Sequence, residues 1–121
     1  AVYLAKTGKD IQAIREYINE YYYTMDFTLD EIRDTYRFNE SCQGTVPQAL
    51  QAFFESTDFE DAIRNAISIG GDSDTVAAIC GGVAQAYYGI PVNIRKQALS
   101  FLNTKKQGIL TSFEEKYMST I

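Results

Sequence analysis

Apolar positions recur along this chain at a spacing of three and four, which is the signature of helices that bury one face. Ile11, Ile14, Ile18, Tyr21 and Tyr22 keep that spacing, with Arg15, Glu16, Asn19 and Glu20 on the opposite side and Asp10 at the start. Ahead of them, residues 1–6 read as the last turns of a helix, closed by Gly8. Thr28-Leu-Asp-Glu31 has the form of a capping box and predicts a short helix from Leu29 to about Tyr36. Arg37 to Gly44 carries turn-forming Asn39, Ser41 and Gly44 and predicts a loop.

Thr45-Val-Pro47 then opens a helix whose inward face is Ala49, Leu50, Phe53 and Phe54, since Pro fits the first turn, where its missing N–H has no partner to lose. Asp58 predicts the cap of the next helix, through Ile67. From Val76 to Val92 the one clearly polar side chain is Gln85. That run falls short of the ~20 apolar residues a membrane span requires, and Gly89 and Pro91 end it. It predicts a fully buried helix over 75–88. Ile94, Ala98, Leu99 and Leu102 suggest another amphipathic helix, and Ile109, Leu110, Phe113 and Tyr117 a last one. No segment alternates as a strand does. The expected class is all-α, a multi-helix orthogonal bundle packed around the buried apolar helix.

At 121 residues the chain is at most one domain. Its 11 basic and 16 acidic residues give a net charge of −5, and the basic clusters, Arg95-Lys96 and Lys105-Lys106, are small. Such a surface repels duplexes and anionic bilayers, so neither nucleic acid nor membrane is expected as a partner. With no His, the chain builds no Ser–His–Asp set and no His-ligated metal site. Two Cys cannot make a four-thiolate site, which leaves hard, oxygen-ligated ions such as Mg²⁺, Mn²⁺ or Ca²⁺. Cys42 and Cys80, with no secretory signal ahead of them, read as two thiols in a reducing cytoplasm. Cys42 lies in a loop and is reactive if exposed; Cys80, inside the apolar helix, reads as an inert small hydrophobe.

The richest chemistry lies in Gly70-Gly71-Asp72-Ser73-Asp74-Thr75, with two carboxylates and two hydroxyls just ahead of the apolar helix. Asp72 and Thr75, one turn apart, bring their oxygens to one side, and these are donors that Mg²⁺ and Mn²⁺ prefer. The plain alternative is a capped helix: Gly-Gly turns the chain, Asp72 or Ser73 caps, and the acids favour the positive end of the dipole. A cap needs only one acid, however, and acids set close to a core need partners. The motif lacks the carboxylates and closing Glu of an EF-hand and the Gly-Lys-Ser/Thr of a Walker loop. Tyr21-Tyr22-Tyr23 reads as core, with stacking on a base or sugar as the other option.

Phe59-Glu-Asp-Ala-Ile-Arg-Asn-Ala-Ile-Ser-Ile-Gly-Gly-Asp-Ser-Asp-Thr-Val-Ala-Ala-Ile79, followed by Ala86-Tyr-Tyr-Gly-Ile-Pro91, resembles the C-terminal signature of the ADP-ribosylglycohydrolases, the family of the dinitrogenase-reductase-activating glycohydrolase. Ser41-Cys-Gln-Gly-Thr-Val-Pro-Gln-Ala-Leu50 resembles the helix start that precedes it, and the similarity runs from about Ala1 to Pro91. The resemblance implies an all-α fold and two divalent ions, Mg²⁺ or Mn²⁺, in a cleft. It implies Asp72, Asp74 and Thr75 as metal ligands, with Asp72 and Asp74 as the catalytic acids and Asp74 either holding both ions or orienting water. Gly71, Ser73 and Thr45 are then expected on the substrate side. The implied reaction cleaves ADP-ribose from a modified protein or a small-molecule conjugate.

Family members also carry a Thr-Asp-Asp ligand segment near the N-terminus, and this chain has no Asp-Asp pair. The resemblance therefore implies that residues 1–121 are the C-terminal part of one all-α domain, completed by an absent N-terminal segment and weak or inactive alone. A non-catalytic, crystallin-like relative and a helical interaction module are the competing expectations. The module is the less expected, because helix 75–88 needs apolar cover all round.

Overall fold

The structure, a computed structural model, describes residues 1–118. Among the described residues it is entirely helical, with eight helices and no strand. They are α1 (Val2–Lys6), α2 (Ile11–Tyr21), α3 (Leu29–Ile32), α4 (Val46–Phe54), α5 (Phe59–Ser68), α6 (Ser73–Tyr88), α7 (Val92–Leu99) and α8 (Thr104–Tyr117). None is long and apolar enough to cross a membrane.

Local chemistry sets most of the boundaries. Gly8, at φ +87°, closes α1 with paired bonds, its N–H to Ala5 O (3.2 Å) and the Lys9 N–H to Leu4 O (3.1 Å), the Schellman pattern. Asp10 caps α2 and Asp58 caps α5, each accepting the N–H three residues on, at 2.8 and 2.7 Å. Thr28 does the same for α3 at 3.3 Å. α3 is shorter than the spacing suggests. The Ile32 carbonyl takes the N–H groups of Thr35 (3.1 Å) and Tyr36 (2.8 Å), so the chain tightens into a turn before Tyr36. The Thr35 hydroxyl donates to the same carbonyl at 3.4 Å, the local competition by which such residues weaken a helix.

The chain forms two compact units, residues 1–89 and 90–121. In the first, α6 packs against α1, α4 and α5, and α4 against α5. Phe53 of α4 is fully buried and meets Tyr87 and Tyr88 of α6 edge-on, at ring separations of 5.5 and 6.0 Å. The Tyr88 hydroxyl donates to Ser56 O (3.0 Å) and shares a bond with Ser56 Oγ (2.9 Å). Beside this seam, Arg15 donates to Gln51 Oε1 (2.9 Å) and Met25 O (2.8 Å), which satisfies the buried Gln51 and ties α2 to α4.

α6 is not buried all round. Val76, Cys80, Val83 and Ala84 are inside, whereas Ala78 and Gly82 are exposed. Small residues make the exposed face nearly as apolar as the buried one, so composition alone overstates its burial. In the second unit, α7 and α8 hold no buried residue. Their apolar positions do not form a core; Arg95 pairs with Glu114 at 2.7 Å, and Gln107 Nε2 donates to Leu99 O (2.9 Å) and Leu102 O (3.0 Å).

Candidate metal centre

Gly70 and Gly71 stand at φ +75° and +68°, a conformation that side-chain-bearing residues rarely adopt. Two such residues in a row turn the chain sharply out of α5 and into α6. Regular helix then begins at once, with Val76 N–H on Asp72 O at 3.0 Å. Asp72 occupies the N-cap position yet makes no side-chain cap bond. The contrast lies within the same chain, where Asp10, Thr28, Asp58 and Asn103 all close their helices. The Asp72 carboxylate is thus spared the duty that its position and residue type predict.

Its neighbour is Asp74. The Asp74 carboxyl lies below its ordinary range, first because Asp72 is in hydrogen-bonding reach, then through backbone N–H bonds. The Thr75 N–H to Asp74 Oδ1 is one of these, at 3.0 Å. Among the described residues, no basic side chain is paired with either acid.

Asp72 and Thr75 line a cavity of about 310 Å³ with Asn39, Glu40, Cys42 and Thr45 from the loop before α4. Val46 and Ile79 line it too, and both also line an apolar cleft of about 730 Å³ bounded by Tyr17, Tyr22, Tyr23, Leu50 and Val83. Thr45 is buried and donates its hydroxyl proton to Asn39 O at 3.1 Å. Asp74, Gly71 and Ser73 do not line this cavity, although the sequence placed them at the site. Ser73 Oγ turns back to Gly71 O at 3.5 Å. Of the tyrosine cluster, Tyr22 and Tyr23 line the apolar cleft, and Tyr21 and Tyr22 are exposed, so it is not the core that its sequence suggested.

Cys42 is exposed and free, and Cys80 is buried with its thiol pushed up to about 12 by burial. Glu40, which lines the cavity, carries no sequence signal, and neither does a residue just behind it: Tyr36. Its ring covers Gly71, its hydroxyl donates to Gly44 O at 2.5 Å, and both Thr45 and Asp72 influence it. Burial, ahead of the Asp72 charge, raises this phenol, so it keeps the proton that it donates. Nothing in the spacing of Tyr36 from Gly71 or Gly44 announces the contact, which tertiary packing makes.

Among the described residues, no group of three or more Asp, Glu, Cys or His side chains gathers as a metal cage. The donors of the Gly70–Thr75 turn suit a hard divalent ion in kind: paired carboxylates, a hydroxyl and no competing cation. In number they fall short of a coordination shell.

A model of the ADP-ribosylglycohydrolase family matches residues 2–112. A 41-residue stretch is 44% identical to an uncharacterized protein of Archaeoglobus fulgidus, covering 34% of this chain and 13% of that protein. The chain thus spans well under two thirds of that relative's length. No solved structure matches it. The family match takes in α1 to α7 whole and enters α8, and it includes the Gly70–Thr75 turn together with the loop that faces it: the chain belongs to the ADP-ribosylglycohydrolase family.

Proposed function

We propose that this chain supplies one side of the divalent-metal centre of a glycohydrolase that hydrolyses the glycosidic bond between ADP-ribose and an acceptor. One observation carries the reading: Asp72 holds the cap position of α6 without capping it, beside a second acid and, among the described residues, without a basic partner. Asp72, Asp74 and Thr75 would hold Mg²⁺ or Mn²⁺ there, two ions in the intact site. Such ions supply Lewis acidity that orients the ribose hydroxyls, polarises the departing bond and activates water.

The chain's own residues do the rest. The two glycines aim Asp72 and Thr75 at the cavity. Thr45, bonded inward to Asn39, fixes the start of α4 opposite them. Val46 and Ile79 give that mouth an apolar side, and charge interactions strengthen wherever such surface displaces water. Completion of the shell falls to a segment carrying a further ligand set, N-terminal to this one in the family pattern. The acceptor is an ADP-ribosylated protein or a small-molecule ADP-ribose conjugate, met in the cytoplasm, with no nucleic acid or membrane involved.

Electron paramagnetic resonance of added Mn²⁺ tests the reading. The chain is expected to bind Mn²⁺, and the Asp72→Ala/Asp74→Ala double variant to lose that binding. In a protein that carries both ligand sets, Asp74→Ala is expected to abolish hydrolysis of ADP-ribosyl conjugates while the fold survives. Equal Mn²⁺ signals from both chains, or undiminished hydrolysis, would return the turn to the role of a helix start in a non-catalytic relative.

A further inference from the structure

We propose that Tyr36 is a positioning residue that clamps the Gly70–Thr75 turn to the 39–45 loop and so sets the width of the mouth that holds Asp72, Thr75 and Thr45; the proposal rests on reading that mouth as the metal-bearing site. Each wall of the mouth is held together internally. In the loop, Asn39 Oδ1 accepts from Ser41 N (2.8 Å) and Ser41 Oγ (2.6 Å), Ser41 Oγ accepts from Gly44 N (3.0 Å), and Thr45 Oγ donates to Asn39 O (3.1 Å). The Asn39 side chain fills the space that a Cβ at Gly44 would need. In the turn, Ser73 N–H bonds Gly71 O (3.0 Å) and Val76 N–H bonds Asp72 O (3.0 Å). Two walls closed on themselves move as bodies, so a side chain that touches both controls the gap between them.

Tyr36 touches both. A Cβ on Gly71 would come within 2.6 Å of Tyr36 Cε2 and 3.1 Å of Cδ2, so the glycine is there to admit the ring as much as to turn the chain. The other end of the same ring reaches Gly44 O at 2.5 Å, next to the buried Thr45. Tyr36 is itself anchored, its N–H on Ile32 O at 2.8 Å. Ring and hydroxyl serve different walls, which makes them separable by substitution. Support of this kind around metal ligands typically tunes affinity by roughly 10- to 100-fold.

The chain carries its own reporter. Cys42 sits in the 39–45 loop and lines the mouth, exposed, whereas Cys80 is buried with its thiol pushed up to about 12 and stays silent to a thiol reagent. Reaction with dithionitrobenzoate therefore reads the loop, and Mn²⁺ titration reads the turn. Tyr36→Phe keeps the ring and loses the hydroxyl. It is expected to label several-fold faster at Cys42 while binding Mn²⁺ within about threefold of the wild type. Tyr36→Ala loses both and is expected to label faster and bind Mn²⁺ roughly tenfold more weakly, or worse.

A residue that merely stabilised the fold would not split the two readouts between Phe and Ala. Far-UV circular dichroism confirms that the Phe variant is folded. A Phe variant labelled at the wild-type rate, or an Ala variant that binds Mn²⁺ like the wild type, would overturn the clamp. Wild-type protein that binds no Mn²⁺ would overturn the metal reading and with it any role of Tyr36 toward a metal, whereas the labelling rates would still decide whether the clamp exists.

Discussion

Asp58 and Asp72 are the same residue type at the same position of successive helices, and they do opposite things. Asp58 accepts the Asp61 N–H at 2.7 Å, and Asp72 caps nothing. Asp58→Ala is expected to lower stability by about 1 kcal/mol, the usual worth of a cap. Asp72→Ala is expected to change it by less than about half that, because no cap bond is lost. Urea unfolding of the two variants side by side measures the difference. Cys80 gives a second residue-scale expectation. Its thiol holds its proton up to about 12 in the fold, against an ordinary value of 9.0. The unfolded chain releases that proton first, so the contribution is complete below pH 9 and is lost as pH rises toward 12. The loss is on the order of 4 kcal/mol by the upper end. Cys80→Ala is expected to show a shallower fall of stability over that interval by about one proton in slope. These two sites were legible to different degrees. The motif at 70–75 named its acids, but only the folded chain separates the acid that caps from the one that does not.

At the scale of elements, spacing and caps located every helix, because amphipathic faces and Asp, Thr and Gly at helix ends are local signals. Asp10, Asp58 and Gly8 do what their positions imply. What sequence could not supply was the environment of a face. Helix α6 reads as buried on all sides because Ala and Gly carry no polar mark, yet Ala78 and Gly82 are exposed. The same blindness hid Tyr36, whose partners are a glycine and a backbone carbonyl, groups without a side chain to pair with in the sequence. The α4–α6 seam is where the fold's stability concentrates. Phe53, at zero exposure between Tyr87 and Tyr88, is the largest fully buried side chain. Phe53→Ala is expected to cost about 3–5 kcal/mol. Tyr88→Phe, which removes the bonds to Ser56, is expected to cost about 1 kcal/mol. Thermal unfolding followed at the tyrosine band reads both.

For the whole molecule, the decisive quantity is apolar surface left in water. Around the larger cleft Tyr3, Tyr17 and Tyr22 are exposed, and in the second unit Phe101, Ile109, Phe113 and Tyr117 are exposed. Contiguous apolar patches of this kind drive association. Sedimentation velocity of the 121-residue chain is expected to show a concentration-dependent rise in mean size, and Tyr3→Ser/Tyr22→Ser to reduce it. A chain that sediments as a monomer at all concentrations would show that these tyrosines tolerate water. The net charge of −5 opposes association, so added salt is expected to promote it.

The break at Gly89 has its own consequence. Its φ of +76°, with Pro91 just beyond, ends α6 after the last core residue, Ala84. Every side chain assigned a role here, from Tyr36 to Thr75, comes before it. Residues 89–91 are therefore a natural splice point: a tag, a reporter or a foreign domain can be joined there without rewriting the part of the chain that holds the chemistry.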